Sequence, residues 1–353
     1  MSDTRLFDSQ PLEGAFALPA PLYTDPQFAL RERAAIFSRH WQLAAHADQV
    51  RNPGDHAITE IAGVPLVIVR GDDGELRALH NVCRHRAGPL ATCDGRAAKA
   101  LRCKYHGWTY RLDGQLRSAP EMEGARDFDV AAIRLPQAHV SQWKGLVFAA
   151  LQSPPPLAQV LDGIDARIGA HPLASYVFDR RTSYEIGCNW KAYVDNYLEG
   201  YHVPHIHPAL NKMLDYRSYT TTLSRWHSLQ FSPLESADTL YGSGDALYYF
   251  IWPNIMLNIL PGRVQTNRVI PLAPDRCRVD FDYFYPADRN DAAHRAQDEA
   301  FSDEVQHEDI AICELVQHRL ASGSYTAGRL NPKRESGVWH FHELYRDALR
   351  GDA

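Results

Sequence analysis

The chain has 353 residues, a formal net charge of -6 and 45% hydrophobic residues. That length leaves room for two or three domains with buried cores, and a mildly acidic chain without a basic run excludes nucleic acid as the main partner. No stretch approaches the roughly 20 apolar residues of a membrane span. Residues 1–10 are polar and Pro19 and Pro21 interrupt the apolar piece 15–22, so no secretory signal, no membrane partner and cytoplasmic residence are expected.

Residues 26–40 read as a helix, with Pro26 suited to a first turn and an interior of Ala, Arg and Leu. From Trp41 to Ala150 the pattern is short β-prone runs: 57–61, 65–70, 76–81 and a buried strand over 145–151. Asp73-Gly74 and Asp113-Gly114 read as hairpin turns. Ser153 and the three prolines that follow form a stiff break. Beyond it, 190–201 and 291–320 read as helices, and 247–260, 263–272 and 277–285 as strands. Grouped strands with helices at the ends predict an α+β fold. The expected domains are an N-terminal helical segment (1–40) packing on the last domain, an all-β unit (41–152) and an α+β domain (153–353). No internal repeat is visible.

Six cysteines in a long chain of this kind are poor disulfide candidates and better read as free thiols or metal ligands. Cys83-Arg84-His85 and Cys103-Lys104-Tyr105-His106 each pair a cysteine with a nearby histidine. A Rieske-type two-iron, two-sulfur (2Fe-2S) cluster needs two thiolates on one iron and two imidazoles on the other, which two such loops supply. The competitor is a Cys2His2 zinc site. Zinc spacings, however, commonly put like residues together, whereas each loop here mixes the types. Gly88 and Gly107 suit tight loops, and Cys93 reads as a plain loop thiol.

The second constellation lies in 189–208. Glu199 and His202 are three apart, placing them on one helix face. Pro204 disfavours helix at Val203, so the helix is expected to end there and His207 to approach from beyond the turn. Two histidines and a carboxylate form the facial triad of oxygen-activating ferrous enzymes. The C-terminal helix offers the carboxylate: Phe301, Val305, Ile312 and Val316 predict an apolar stripe, and Asp309 falls on it, where a buried carboxylate needs a cation or strong hydrogen bonds. His205 competes with His207, and Asp303, Glu304 and Glu308 compete with Asp309. The plainer reading is a pair of histidines that cap a helix or bond within the core.

These motifs carry a resemblance. NVCRHRAGPLA with CKYHGWTYRLDGQL resembles the Rieske domain of ring-hydroxylating oxygenases, DNYLEGYHVPHIHPAL resembles their mononuclear-iron motif, and VQHEDIAICELVQHRLASGSYTAGRL their C-terminal helix. The resemblance implies an all-β Rieske domain followed by a helix-grip (START/Bet v1-like) catalytic domain with an antiparallel sheet. Cys83, His85, Cys103 and His106 would bind the 2Fe-2S cluster, and His202, His207 and Asp309 a mononuclear Fe(II). Glu199 would be the bridging acid linking His202 to the Rieske histidine, His106, of a neighbouring subunit in a homotrimer. The implied reaction hydroxylates, and in some members demethylates, a small substrate with O2. Its electrons come from NAD(P)H through a separate flavin and iron-sulfur reductase; no GxGxxG follows a strand here to bind a nucleotide.

FIWPNIMLNI, DFDYFY and VQHEDIAICE are similar to the choline monooxygenases and the glycine betaine and carnitine oxygenases. Glu199-Gly200-Tyr201-His202 departs from plant choline monooxygenases, which carry an extra glycine before the first iron histidine. A quaternary ammonium substrate (choline, glycine betaine, carnitine or stachydrine) would want aromatic faces, for which Trp226, Tyr241, Tyr248, Tyr249, Phe250 and Trp252 are candidates. Hydroxylation or demethylation of an aromatic acid or aromatic ring stands as the alternative. A reading from another class is a Rieske electron carrier without an oxygenase site. Monooxygenation and dioxygenation are both left open.

Overall fold

The computed structural model describes residues 6–169, 171–234, 240–287 and 291–351. Its contacts divide the chain into two compact units: residues 37–157, and the residues up to Ile36 together with those from Ala158 onward. Among the described residues no helix is long and apolar enough to cross a membrane.

Residues 37–157 are all-β apart from short turns of helix. Strands β1 (Gln42–His46), β2 (His56–Ile61), β3 (Val64–Arg70), β4 (Leu76–His80), β8 (Gln137–Trp143) and β9 (Leu146–Ala150) form one antiparallel sheet in the order β1-β9-β8-β4-β3-β2. A small sheet of β5 (Leu101–Arg102), β6 (Thr109–Tyr110) and β7 (Leu116–Ser118) stands apart from it. β9 is buried along its whole length, as expected of an unbroken apolar run. One core gathers Val67, Val69 and Leu79 with Cys83, Cys103, Trp108 and Tyr110, so both cysteine loops are anchored in packed side chains.

The other unit begins with α1 (Pro21–Thr24) and α2 (Pro26–Glu32). Asp25 caps α2 by accepting the Gln27 N–H (2.9 Å). The helix expected over 26–40 stays α-helical only to Glu32; Arg33–Phe37 widen into a π turn. After the short helices α3 (Leu157–Val160) and α4 (Ile164–Ile168) comes a seven-stranded antiparallel sheet. Its strands are β10 (Tyr176–Ile186), β11 (Thr220–Leu223), β12 (His227–Leu234), β13 (Gly244–Ile251), β14 (Ile255–Leu260), β15 (Arg263–Ala273) and β16 (Arg276–Pro286), in the order β10-β16-β15-β14-β13-β12-β11. The single strand expected over 247–260 is a hairpin, with Ile251 paired to Ile255 across a turn. Pro253 in that turn has no N–H for a ladder.

Between β10 and β11 lie α5 (Trp190–Tyr197), α6 (Val203–Ile206) and α7 (Pro208–Met213). The 29-residue α8 (Ala292–Leu320) and α9 (Ser336–Arg350) follow the sheet. Helix α5 ends at Tyr197, four residues before the expected limit, so Glu199 and His202 do not share a helix face. They share a turn, in which the Glu199 carboxylate accepts the N–H groups of Tyr201 and His202. Pro204 sits in the first turn of α6, where its missing N–H is harmless.

The N-terminal segment is tied to α5 by a buried charge pair. Glu32 takes the Lys191 ammonium, the Trp190 indole N–H (2.8 Å) and the Tyr345 hydroxyl (2.7 Å). Lys191 is wholly buried and Glu32 nearly so. Glu32→Ala leaves that ammonium uncompensated. It is expected to lower the unfolding free energy by about 3–5 kcal/mol, read from urea denaturation; a loss below about 1 kcal/mol removes the pair as the anchor of α2.

Candidate active site

Two loops of the all-β unit are built on one plan. Cys83 N–H donates to the Gly88 carbonyl and Ala87 N–H to the Cys83 carbonyl; Cys103 N–H donates to Trp108 and Gly107 N–H to Cys103, with distances of 2.9, 3.0, 2.9 and 3.0 Å. The residue four beyond each cysteine turns left-handed, Ala87 at φ 56° and Gly107 at φ 78°. Glycine takes that conformation freely and alanine at a cost. The folding of the loops puts both thiols inside and both imidazoles outside: Cys83 and Cys103 are buried, His85 and His106 exposed. The two rings meet edge to face at 4.6 Å, and Trp108 stacks on His85 at 4.8 Å. The Tyr110 hydroxyl lies 3.3 Å from Cys83 Sγ. Gly88 is required by closeness, since a Cβ there would stand 2.7 Å from Cys103 Sγ. Two buried thiols and two exposed imidazoles, one of each per loop, suit a cluster whose irons differ in ligand type.

The second group forms at the two ends of α6, where His202 and His207 flank it, and on α8. His202 Nε2, His207 Nε2 and Asp309 Oδ1 all lie within 4.8 Å of one another. His207 Nε2 is 3.1 Å from His202 Nε2 and 3.0 Å from Asp309 Oδ1, and His202 Nε2 is 3.8 Å from that oxygen. The outer ring nitrogens are committed: His202 Nδ1–H donates to Glu199 Oε1 (2.6 Å) and His207 Nδ1–H to Glu308 Oε2 (2.7 Å). With those protons placed, both Nε2 atoms present lone pairs to each other and to a carboxylate. Three converging acceptors repel unless a cation or a proton sits among them. The arrangement therefore fits a metal ion, with each imidazole oriented from behind by an acid. Burial lowers the His207 pKa, but Asp309 and Glu308 outweigh it and leave it raised, as the concentration of negative charge requires. Asn196 Nδ2–H fixes Asp309 Oδ1 at 2.6 Å.

The competing residues are placed elsewhere. His205 is exposed, whereas His207 is buried. Asp303 takes the Tyr184 hydroxyl, and Glu304 is exposed. Glu308 contacts the outer nitrogen of His207, so it stands behind the triad. The expected apolar stripe of α8 is not its buried edge: Val316 is exposed and Phe301, Val305 and Ile312 are half-buried, while the buried positions are Asp298, Ser302, Gln306, Cys313, Gln317 and Leu320. Asp309 belongs to a polar edge turned to a cavity, which removes the premise of an isolated acid among hydrophobes. Three contributors were missed in the sequence: Asn196, the Gln306–Tyr193 contact (2.7 Å) and the Glu308 support of His207. Asn196 and Gln306 precede Glu199 and Asp309 by three residues each, the one signal that was available.

The triad opens on a cavity of about 130 Å³ between α5, α8 and the sheet, sized for a small molecule. Tyr219, Tyr241, Tyr248, Phe281 and Phe301 give it aromatic faces. Of the six aromatics expected there, only Tyr241 and Tyr248 line it. Alternation along β13 turns Tyr249 toward His227 (5.9 Å), and Phe250 and Trp252 pack on Phe341 of α9 at 5.6 and 5.7 Å. Trp226 is not among the lining residues. Arg263 is the one Lys or Arg on the described wall, and Asp298 balances it at 2.6 Å. Glu199 borders this cavity and a second one, lined also by Asp195, Glu335 and His342.

The geometry agrees with what the chain resembles. Residues 40–136 match the Rieske [2Fe-2S] domain family, and residues 173–351 the ring hydroxylating alpha subunit (catalytic domain) family. The chain is 35% identical to the chloroplastic choline monooxygenase of Arabidopsis thaliana, over 96% of this chain and 84% of that one. It is 29% identical to the carnitine monooxygenase oxygenase subunit of Escherichia coli (strain K12), over 98% and 96%. The quaternary ammonium Rieske monooxygenase CntA superposes with a TM-score of 0.90 at 26% identity, covering 97% of this chain and 99% of CntA. The chain belongs to the Rieske-type ring-hydroxylating oxygenase alpha subunits, oxidoreductases that combine a 2Fe-2S cluster with a mononuclear iron.

Proposed function

We propose that this chain is the oxygenase component that hydroxylates a small quaternary ammonium compound, of the choline, glycine betaine, carnitine or stachydrine type. One observation carries this reading: the convergent His202, His207 and Asp309 open on a cavity with aromatic faces and no unbalanced cation. Aromatic faces attract a desolvated quaternary ammonium by up to about 2 kcal/mol. An aromatic acid would bring no positive charge to these faces. The relatives support the choice, two of them being choline and carnitine monooxygenases, and CntA has been seen with L-carnitine and with gamma-butyrobetaine.

In this reading Cys83, His85, Cys103 and His106 hold the 2Fe-2S cluster, and His202, His207 and Asp309 hold Fe(II). When bound, the iron offers open positions for dioxygen. The chain's own groups do the rest. Glu199 and Glu308 hold the Nδ1 protons of the two imidazoles and keep Nε2 of each turned inward. Asn196 fixes Asp309, and the aromatic wall holds the cation and excludes water. Glu199, bordering two cavities, is the acid that would connect His202 to His106 of the partner subunit in a homotrimer. Electrons would come from NAD(P)H through a separate flavin and iron-sulfur reductase, in the cytoplasm.

Oxygen uptake by the reconstituted enzyme with choline, glycine betaine, carnitine and stachydrine tests the substrate class. Coupled uptake with at least one is expected; silence on all four with turnover of an aromatic acid overturns the reading. His202→Ala should abolish turnover, keep the visible Rieske spectrum and lower iron from about three to about two per chain; loss of the spectrum shows that the two sites are misassigned. Gly88→Ala should do the reverse, because its Cβ displaces the Cys103 thiol: sulfide content falls and the mononuclear iron stays. Glu308→Ala is expected to weaken Fe(II) binding about 10- to 100-fold in chelator competition, and an unchanged affinity removes Glu308 from its supporting role.

A further inference from the structure

Strand β15 and helix α8 run side by side with matched steps. Two residues of strand advance about 6.6 Å and four of helix about 6.0 Å, so residues 263, 265 and 267 face 298, 302 and 306 in turn. The first two rungs of this ladder are closed. Arg263 Nη1–H donates to Asp298 Oδ1 at 2.6 Å, and Gln265 Nε2–H to Ser302 Oγ at 3.2 Å. The third rung is open. Asn267 Oδ1 and Gln306 Nε2 are both buried, at 3% and 2% exposure, and both residues line the cavity, yet neither atom has a hydrogen-bond partner among the described residues. Their opposite ends are already engaged: Gln306 Oε1 accepts the Tyr193 hydroxyl (2.7 Å), and Asn267 Nδ2 meets Met256 Sδ (3.8 Å).

An unpaired donor and an unpaired acceptor on one cavity wall ask for a group that both accepts and donates. We propose that the third rung is a subsite for the substrate's hydroxyl, which accepts from Gln306 Nε2–H and donates to Asn267 Oδ1; the preferred substrates are quaternary ammonium alcohols. A carboxylate would satisfy Gln306 but set its lone pairs against Asn267 Oδ1, and Arg263 has its charge balanced by Asp298. An alkyl group would leave both atoms unpaired in a buried place, which is costly. Gln306 stands one helical turn before Asp309, so an alcohol held there lies beside the His202, His207 and Asp309 group.

This inference rests on the quaternary ammonium reading. It is tested by anaerobic titration calorimetry of the iron-loaded enzyme with choline and with propyltrimethylammonium, in which a methyl replaces the hydroxyl. The wild type is expected to bind choline about tenfold or more tightly. Gln306→Met and Asn267→Leu, each checked for an unchanged Rieske spectrum and circular dichroism, should each bring that ratio close to one. Equal binding of the two cations by the wild type overturns the subsite and leaves the quaternary ammonium reading standing. A preference that survives both substitutions also overturns it, since the discrimination then arises elsewhere. If neither cation binds, the subsite for an alcohol is overturned, and the quaternary ammonium reading then stands or falls on oxygen uptake with glycine betaine, carnitine and stachydrine.

Discussion

Three lone pairs meet at the end of one cavity: two imidazole Nε2 atoms and a carboxylate oxygen, all within 4.8 Å. Like-signed groups at such separations in a partly buried place are repulsive, and three surrounding side chains oppose their relaxation. Glu199 and Glu308 hold the imidazole rings from the far side, Asn196 holds Asp309, and the turn before α6 is fixed by Glu199 accepting two backbone N–H groups. Glu199 thus does two jobs with one carboxylate, shaping the turn with one oxygen and orienting His202 with the other. A site stressed in this way is relieved by a divalent cation, which is why its geometry reads as a metal centre.

Holding that stress is the work of the surrounding fold. The seven-stranded sheet offers a row of inward positions on adjacent strands, and α8 lays a polar edge along it. The same helix carries Asp298, Ser302, Gln306 and Asp309 at spacings of four, four and three, so one rigid element fixes both the structural pair with Arg263 and the carboxylate of the triad. Helix α5 supplies Tyr193 and Asn196, and its first turn is clamped by the buried Glu32–Lys191 pair reaching from the N-terminal segment. The Rieske loops follow another logic, since they need no long element. Paired backbone bonds close each loop on its own cysteine, and a shared hydrophobic core seats both thiols.

Much of this was legible in the residues. The mixed Cys-His loops, the β-prone runs with their Asp-Gly turns and the long C-terminal helix are local signals, and local signals survive in a sequence. What failed were inferences about faces and ends. Glu199 and His202 at a spacing of three looked like a helix face because nothing in Leu198-Glu199-Gly200 announces that a side-chain carboxylate will take over the backbone N–H groups. The α8 stripe was misplaced because the helix packs against a cavity, where the buried edge is polar and an apolar count points to the wrong side. The aromatic run 248–252 could not be sorted into cavity and core without knowing where it sits along the sheet: alternation turns Tyr249 away from the face of Tyr248, whereas Phe250, on that same face, and Trp252, in the turn beyond β13, reach past the cavity and pack around Phe341. Asn267 and Gln306 were invisible for a plainer reason: an orphaned amide has meaning only when its neighbours are known to be satisfied.

The charge on the cavity wall constrains what can occupy it. Arg263 is buried, and its pKa stays raised: burial opposes the charge, and Tyr241 and Asp298 outweigh that opposition. Tyr241 and Tyr285 donate hydrogen bonds to Asp298, so four groups form one charge-balanced cluster with little field left over. An arginine held this way closes the end of the cavity without acting as an anion receptor, because pulling it toward a substrate carboxylate would expose Asp298 unpaired. At the opposite end Asp309 stands with His202 and His207 where Fe(II) would be held, and Glu199 is engaged by His202. With the arginine neutralised, the aromatic faces are left to hold the substrate's charge, which a compact cation with an uncharged polar tail satisfies and an anion does not.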